Sequence, residues 1–185
     1  MKMYIERKRK MKCNRKLGIL PLLILLILQT AACGQTAKDV PLETVYTGIK
    51  EAYGGDYRPD GEIPQELLEN TYGLKSDMYT DIKAEMSMIS MHPDVLIVVK
   101  AAEGQADNVE AALNTARDNA IQNTLQYPMN IPKTNATKVL REGNIIAYLT
   151  LGANGDFEDA QSDEARTFAE NEAQKGADAF QKSFE

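Results

Sequence analysis

The sequence predicts an α+β fold in two layers, with about four mostly antiparallel strands, arranged as two hairpins, and three to four helices. Two pairs of apolar runs are each joined by a short turn, which is the arrangement typical of β-hairpins. One long stretch with helical spacing separates the two pairs, and other helical stretches precede and follow them. The order of these elements indicates one sheet with helices packed on one or both of its faces.

Two short helices are predicted at the start of the domain. Residues 41–53 place apolar side chains at intervals of three and four, which is helical spacing, and a pair of glycines ends the run. A loop rich in Pro, Gly and Asp follows over residues 57–63. A second helix is expected from about Pro64 to Gly73, because proline is tolerated in a first turn and glycine suits a C-terminal cap.

The first hairpin is predicted over residues 82–99. Apolar and polar side chains alternate over residues 82–90, which is typical of a half-buried strand. His92, Pro93 and Asp94 are expected to form the turn. The β-branched run of residues 95–99 predicts a strand in the middle of the sheet, covered on both faces.

A long central helix, a second hairpin and a last helix complete the prediction. The long helix covers residues 104–126 and ends before Pro128, since the residue that precedes a proline avoids helical dihedral angles. Residues 136–141 and 145–151 flank a glycine-containing turn and predict the hairpin. After a polar loop, helical spacing predicts a helix over residues 163–183, which a glycine in its interior weakens.

The first 32 residues have the organisation of a signal peptide. Eight basic residues against the single acidic Glu6 lie in the first 16 positions, and residues 17–28 carry no charge. This apolar run has 12 residues, whereas a helix needs about 20 to span a bilayer. The segment is therefore predicted to direct export and not to span the membrane.

A cysteine follows this segment directly after two small residues. The string Ala31-Ala32-Cys33 resembles the bacterial lipobox, in which the cysteine is diacylated and the preceding peptide is removed. The resemblance implies a lipoprotein signal peptide over residues 1–32, lipid such as palmitate on Cys33, and a short tether over residues 33–39. Two acyl chains hold a protein stably at a membrane, whereas one binds marginally. The alternatives are ordinary secretion with cleavage near Ala32, and an uncleaved N-terminal anchor.

Charge and cysteine content limit the function of the mature chain. Residues 33–185 carry 13 Lys and Arg against 26 Asp and Glu, a net charge of −13, which opposes binding to nucleic acid and to anionic lipid. With Cys13 removed and Cys33 lipidated, no thiol is left for catalysis, a disulfide or a metal site. The 153 residues suit one α+β domain over residues 40–157, followed by an acidic amphipathic helix over residues 158–185.

Several short strings resemble one family of bacterial lipoproteins. They are Tyr72-Gly73-Leu74 with Asp77 and Tyr79, Glu85-Met86-Ser87-Met88-Ile89-Ser90, Asp94 before an apolar run that ends at Lys100, Arg117, and Gln126-Tyr127-Pro128. The family is catalogued as domain of unknown function 4358 and is found in Gram-positive bacteria. The resemblance covers residues 40–151 and implies the anchor and the fold. The family has no established activity that the resemblance would transfer.

Candidate catalytic and metal-binding groups are few. His92 is the only histidine, and no catalytic triad, zinc helix or phosphate loop is recognisable. Two groups carry possible metal ligands: Met86, Met88, Met91 and His92 for Cu(I), and Asn154, Asp156, Glu158 and Asp159 for Ca²⁺. We favour core packing for Met86 and Met88, which share a face of the strand while Met91 points the other way, and a solvated acidic loop for the carboxylates. The sequence therefore predicts neither a metal site nor a cofactor.

One pocket is predicted for a polar ligand. Glu85 and Lys100 lie in adjacent predicted strands, and Arg117 lies on the helix expected to cover them, so these charged groups are candidates to converge. A structural ion pair or plain surface exposure is the alternative. Six tyrosines are interpreted either as the rim of the core or as a shared recognition surface: Tyr46, Tyr53, Tyr57, Tyr72, Tyr79 and Tyr127.

The sequence does not say what the domain binds, and the leading hypothesis is a non-enzymatic binding or interaction module of the cell envelope. It is predicted to be held at the extracytoplasmic face of the cell membrane by lipid on Cys33. An envelope protein or a small ligand is the expected partner, nucleic acid is not, and no catalytic residue is predicted. The alternatives are an envelope hydrolase that uses two carboxylates, and a metal-handling lipoprotein.

Overall fold

The computed structural model describes residues 40–123 and 125–185. The predicted signal peptide, Cys33 and the tether lie outside these residues. Within them, the elements in chain order are α1 Leu42–Tyr53, β1 Gly61–Glu62, α2 Gln65–Asn70, β2 Tyr79–Met86, β3 Val95–Ala101, α3 Ala106–Gln122, α4 Ile131–Asn135, β4 Lys138–Glu142, β5 Ile145–Thr150 and α5 Asp163–Lys182. The α+β class predicted from the sequence is confirmed.

The strands of the described residues form one antiparallel sheet in the order β1-β2-β3-β5-β4. Successive side chains of a strand point to opposite faces, and in β3 both sets are apolar. Leu96 and Val98 pack with α1 and α5 on one face, whereas Ile97 and Val99 pack with α2 and α3 on the other. Helices thus cover both faces, one layer more than expected, and β3 lies in mid-sheet as predicted.

Two short elements were not predicted from the sequence. The sheet has a fifth strand, β1, which pairs Gly61 with Met86 at the edge and consists of two residues. The five-residue α4 follows a 3₁₀ turn at Pro128–Asn130. Elements of this length carry no readable periodicity, since a helical or strand pattern needs several repeats to be recognised.

The ends of two predicted elements differ because side chains capture backbone N–H groups. Strand β2 ends at Met86 and not at residue 90, since Asp60 Oδ1 accepts from Met88 N at 2.7 Å, which takes this amide out of the strand ladder. Helix α3 ends at Gln122 and not at residue 126, where Asn123 Oδ1 accepts from Leu125 N at 2.9 Å. Such bonds compete locally with regular secondary structure.

The sequence left open whether the last helix packs on the domain. Phe180 of α5 is fully buried with Val45 and Ile49 of α1. A Cβ on Gly176 would lie 2.6 Å from the hydroxyl oxygen of Tyr53, so the glycine permits the close approach of these two helices. The described residues from Val40 onward accordingly belong to one compact unit.

Helix α1 runs in the same direction as β2. Glu43 near the start of α1 pairs with Lys83 at 2.9 Å, and Lys50 near its end pairs with Glu85 at 3.3 Å. Val40 therefore lies at the end of the sheet opposite to the connection that follows β2. Among the described residues, no helix has the length and apolarity required to cross a bilayer.

Candidate functional site

Several connections meet at one end of the sheet, which we call the loop end. Here β2 and β5 finish while β3 and β4 begin, because Val95 pairs with both Met86 and Thr150, and Lys138 pairs with Leu149. The connections are residues 87–94, 123–137 and 151–162. This end faces away from Val40.

The buried polar side chains of the described residues gather at the loop end. They are Ser87, Asp94, Asn130, Lys133, Thr134, Thr137, Thr150 and Glu172. Burial of a polar group costs free energy unless a hydrogen bond compensates for it, so such a concentration needs a connected set of partners.

A buried ion pair forms the centre of this set. Lys133 Nζ lies 3.1 Å from both carboxylate oxygens of Asp94, and the side chains are 8% and 0% exposed, respectively. Burial raises the pKa of the Asp94 carboxyl, and the Lys133 ammonium offsets only part of this rise. The pair joins the turn before β3 to α4, and thus ties two of the three connections together.

Further hydrogen bonds secure the other connections. Thr137 shares a 2.8 Å hydrogen bond with Thr150 between their hydroxyls, and this links β4 to β5. Glu172 of α5 accepts from Ala153 N at 3.0 Å. Burial acts to raise the pKa of Glu172, but hydrogen bonds from Lys175 and the backbone hold it below its ordinary value. The loop end is therefore a fixed structure.

Some buried polar atoms at the loop end are unpaired. Among the described residues, His92 Nδ1, Asn130 Oδ1 and Thr134 Oγ1 are buried without a hydrogen-bond partner. Asn130 uses only its amide nitrogen, which donates to Met91 O at 2.9 Å. Buried polar atoms without a partner are uncommon in folded proteins. These three atoms are therefore exceptions within an otherwise hydrogen-bonded set.

Two of the connections at the loop end carry exposed apolar side chains. The side chains are Met88, Ile89, Met91, Tyr127 and Met129, and together we call them the loop surface. Met88 is 67% exposed and Met129 is 61% exposed. The bond from Asn130 to Met91 joins the two segments that carry them. Exposed large apolar side chains that lie together mark interaction sites more often than isolated ones do.

A groove borders the loop surface. Residues 127–129 form one wall and residues 155–161 form the other, and the cavity between them has a volume of about 430 Å³. Its apolar part comes from Tyr127, Met129 and Phe157, and its acidic part from Glu158 and Asp159. We call this cavity the acidic groove.

The predicted convergence of Glu85, Lys100 and Arg117 is not found. Glu85 pairs with Leu96 and so points to the face that α1 covers, while Arg117 lies on α3 at the other face. Lys100 lies four residues beyond Leu96 along β3, or about 13 Å at the rise of a strand. The sequence pattern could not show which face of the sheet each helix covers.

Glu85 and Arg117 of the predicted pocket each contact other residues instead. Glu85 accepts from Tyr57 Oη at 2.8 Å and from Lys50 Nζ at 3.3 Å. Burial acts to raise the pKa of Glu85, but hydrogen bonds from Tyr46, Tyr57 and Lys50 outweigh this and leave it lowered. Arg117 forms an ion pair with its neighbour Asp118 at 2.8 Å. These contacts correspond to the structural alternative considered from the sequence.

The methionine prediction is partly wrong. Met86 ends β2 and packs against the core, but Met88, which was also expected in the core, is exposed because the chain has already left the strand. Met91, for which no core position was predicted, is exposed as well. In the described ranges, no group of three His, Cys, Asp or Glu is arranged to hold a metal ion, and this includes the loop at residues 154–159. The exposed methionines of the loop surface were missed, although Met88, Ile89 and Met91 follow one another closely in the sequence.

The tyrosines do not share one surface. Tyr46, Tyr53 and Tyr72 are buried in two different cores, and Tyr127 is exposed on the loop surface. The interpretation as rim-of-core residues thus applies to most of them, and only Tyr127 is placed for recognition.

Comparison with known proteins gives one family. Residues 53–151 match the family described as Domain of unknown function (DUF4358), and the match covers more than half of the chain. No curated protein and no solved structure gives a significant match. The matched residues include Asp94, Lys133 and the whole loop surface. The chain therefore belongs to the DUF4358 family.

Proposed function

We propose that this protein is a lipid-anchored, non-enzymatic binding module at the extracytoplasmic face of the cell membrane, and that it binds a protein partner through the loop surface. The observation that carries the proposal is the exposure of Met88, Ile89, Met91, Tyr127 and Met129 at the end of a domain whose cores are otherwise filled. Methionine and tyrosine are enriched where proteins meet.

The architecture of the loop end supports binding. The buried pair of Asp94 and Lys133 and the bond from Asn130 to Met91 hold both apolar segments in place before any partner arrives. A surface that is already ordered loses less conformational entropy when it binds. The flexible thioether side chains can meanwhile adapt to the shape of the partner.

The direction of the chain agrees with an anchored module. The predicted tether enters the domain at Val40, opposite to the loop end. With lipid on Cys33, the loop surface would lie far along the chain from the attachment point and be accessible to other envelope proteins. The net charge of −13 over residues 33–185 is also repelled by anionic lipid headgroups.

The chemistry of the site supports binding over catalysis. Lys133 and Asp94 neutralise each other, with the ammonium 3.1 Å from both carboxylate oxygens, so neither group is free to act as a base or nucleophile. His92, the only histidine of the chain, has a half-buried side chain whose Nδ1 is buried.

The anchor is tested by the intact mass of the membrane-extracted protein and of its N-terminal peptide. We expect a diacylglyceryl group on Cys33 and loss of residues 1–32, and Cys33→Ala should abolish both the lipid and the membrane association. An unmodified chain that keeps residues 1–32, or one that is cut near Ala32 and released, would contradict the anchor.

The loop surface is tested by photo-crosslinking in the native type of host. A benzoylphenylalanine in place of Met129 should give one reproducible protein adduct, whereas the same group in place of Leu67, an exposed apolar residue on α2, should not. The adduct at position 129 should disappear when Met91→Glu is added. Equal adducts at both positions, or an adduct that survives Met91→Glu, would overturn the proposed surface.

A further inference from the structure

The acidic groove carries an inference about the chemistry of the partner. We infer that it receives a lysine or arginine side chain from a partner segment whose neighbouring residues are apolar. The inference rests on the proposed function, because it assigns the partner class for the same end of the domain. Two features of the groove carry it: its lining and its unbalanced charge.

The lining of the groove suits an amphipathic side chain. Tyr127 and Met129 form one wall, and the Phe157 ring lies over Gly155 on the other, with its centre 5.5 Å from the centre of the Phe168 ring in an edge-on arrangement. Lysine and arginine have aliphatic stems that pack on such surfaces while the charged head reaches polar groups. The face of an exposed tyrosine also attracts a cation.

The charge at the groove is unbalanced. Glu158 and Asp159 are exposed, and neither forms an ion pair within the described residues. The nearest basic residue along the chain, Arg166, pairs with Asp163 at 2.9 Å. Asp159 accepts only a backbone bond, from Gln161 N at 2.8 Å. Residues 156–164 hold five acidic residues and no basic one. A cationic group is therefore attracted to this wall.

Other occupants fit less well. A second copy of this chain would bring one acidic wall against another, because a two-fold contact repeats the same surface on both sides. An anionic lipid surface is repelled by the same carboxylates. A bound metal ion lacks support, because no suitable cluster of ligands exists in the described part of the chain. Charge complementarity thus favours a basic protein segment.

The test uses the full-length, detergent-extracted protein and two fluorescent peptides of equal length. In one peptide leucine alternates with lysine, and in the other leucine alternates with glutamine. By fluorescence anisotropy we expect the lysine peptide to bind at least tenfold more tightly. Glu158→Gln combined with Asp159→Asn should weaken its binding about fivefold, since partly exposed charge pairs contribute up to about 1 kcal/mol each.

The matched control removes two carboxylates elsewhere. Glu66→Gln combined with Glu69→Gln on the exposed side of α2 changes the net charge equally and should leave the affinity unchanged. If both double variants weaken binding to the same extent, only the overall charge attracts the peptide, and the inference is wrong. Equal affinity for the two peptides, or self-association of the protein through Met129 in sedimentation, would also overturn it.

The same variants separate this inference from the proposed function. If Glu158→Gln with Asp159→Asn leaves the adduct at position 129 and the peptide affinity intact, the loop surface binds a partner that is not basic. A second outcome is that no adduct forms at position 129, while the affinity of the lysine peptide falls in Glu158→Gln with Asp159→Asn and not in the control variant. In that case the groove binds cations, but the loop surface does not bind the proposed partner.

Discussion

Replacing Lys133 by methionine removes the ammonium that faces the Asp94 carboxylate and keeps an unbranched side chain of similar length. The two side chains are 8% and 0% exposed, so water cannot take over the role of the ammonium without rearrangement. A buried charge left without its partner costs about 3–5 kcal/mol. Lys133→Met is expected to lose this much free energy of unfolding near neutral pH, a large part of the about 5–15 kcal/mol that stabilises most domains.

Urea unfolding of residues 36–185, followed by circular dichroism, measures this loss on a unit with its own core. With a urea dependence of about 2 kcal/mol per M, the midpoint should fall by about 1.5–2.5 M. The double variant Asp94→Leu with Lys133→Met removes both charges. It should recover most of the loss, because apolar residues often replace a buried ion pair at little cost.

The pH dependence of Lys133→Met provides a second readout. Without the ammonium, burial outweighs the smaller opposing effects of His92 and Arg58 and keeps the folded-state pKa of Asp94 above its unfolded value. A carboxyl with a raised folded pKa binds more protons in the folded state, so stability rises as the pH falls through that pKa. The deficit of the variant should therefore shrink as the pH is lowered from neutrality towards 3.8, the ordinary pKa of the carboxyl. If Lys133→Met loses less than about 1 kcal/mol of unfolding free energy and the loss does not depend on pH, the pair behaves like an exposed one. That result would refute the reasoning from burial.

Two further predictions concern the helix contact and acid stability. Gly176→Ala should destabilise the domain by about 1–3 kcal/mol in urea unfolding, because the new Cβ would meet the Tyr53 hydroxyl oxygen at 2.6 Å. The matched change Gly48→Ala in α1 meets only the terminal Ser183 hydroxyl, at 3.3 Å, and it should be neutral or stabilising; equal losses would contradict the reasoning. The pKa values of Glu85 and Glu172 are lowered in the folded state, so their stabilisation is present above the ordinary value of 4.5 and is lost as the pH falls below it. Glu85→Gln should therefore make the acid limb of the stability curve shallower, and an unchanged limb would show that Glu85 does not contribute to it.

The elements that the sequence predicted well are those with several repeats of a clear period. Helix α1, helix α5 and both hairpins lie close to the predicted residues, since their apolar side chains recur at the spacing of a helix or a strand. The strand β1 and the helix α4 have two and five residues and offer no such repeat. Their formation depends on partners distant in the sequence, such as Met86 for Gly61.

The site was harder to predict because it depends on the faces and ends of the sheet. Glu85 and Arg117 are separated by the sheet itself, which periodicity along one strand cannot reveal. Lys133 meets Asp94 across 39 residues, and neither residue stands out in its local sequence. The sequence did contain a signal for the loop surface. Met88, Ile89 and Met91 continue the apolar run beyond the end of β2, where the Asp60 carboxylate accepts a hydrogen bond from the backbone N–H of Met88.

The loop end combines two properties that usually oppose each other. Its buried polar residues include the ion pair of Asp94 and Lys133, and this pairing stabilises the domain. Its outer side chains are exposed and apolar, and they do not stabilise the domain. Apolar side chains as exposed as Met88 and Met129 gain nothing for folding in their present position. The buried polar residues of the loop end hold the backbone of these side chains in place. The side chains can therefore bury their surface only when another molecule covers them. This separation of roles is the physical reason to look for the partner at this end of the domain.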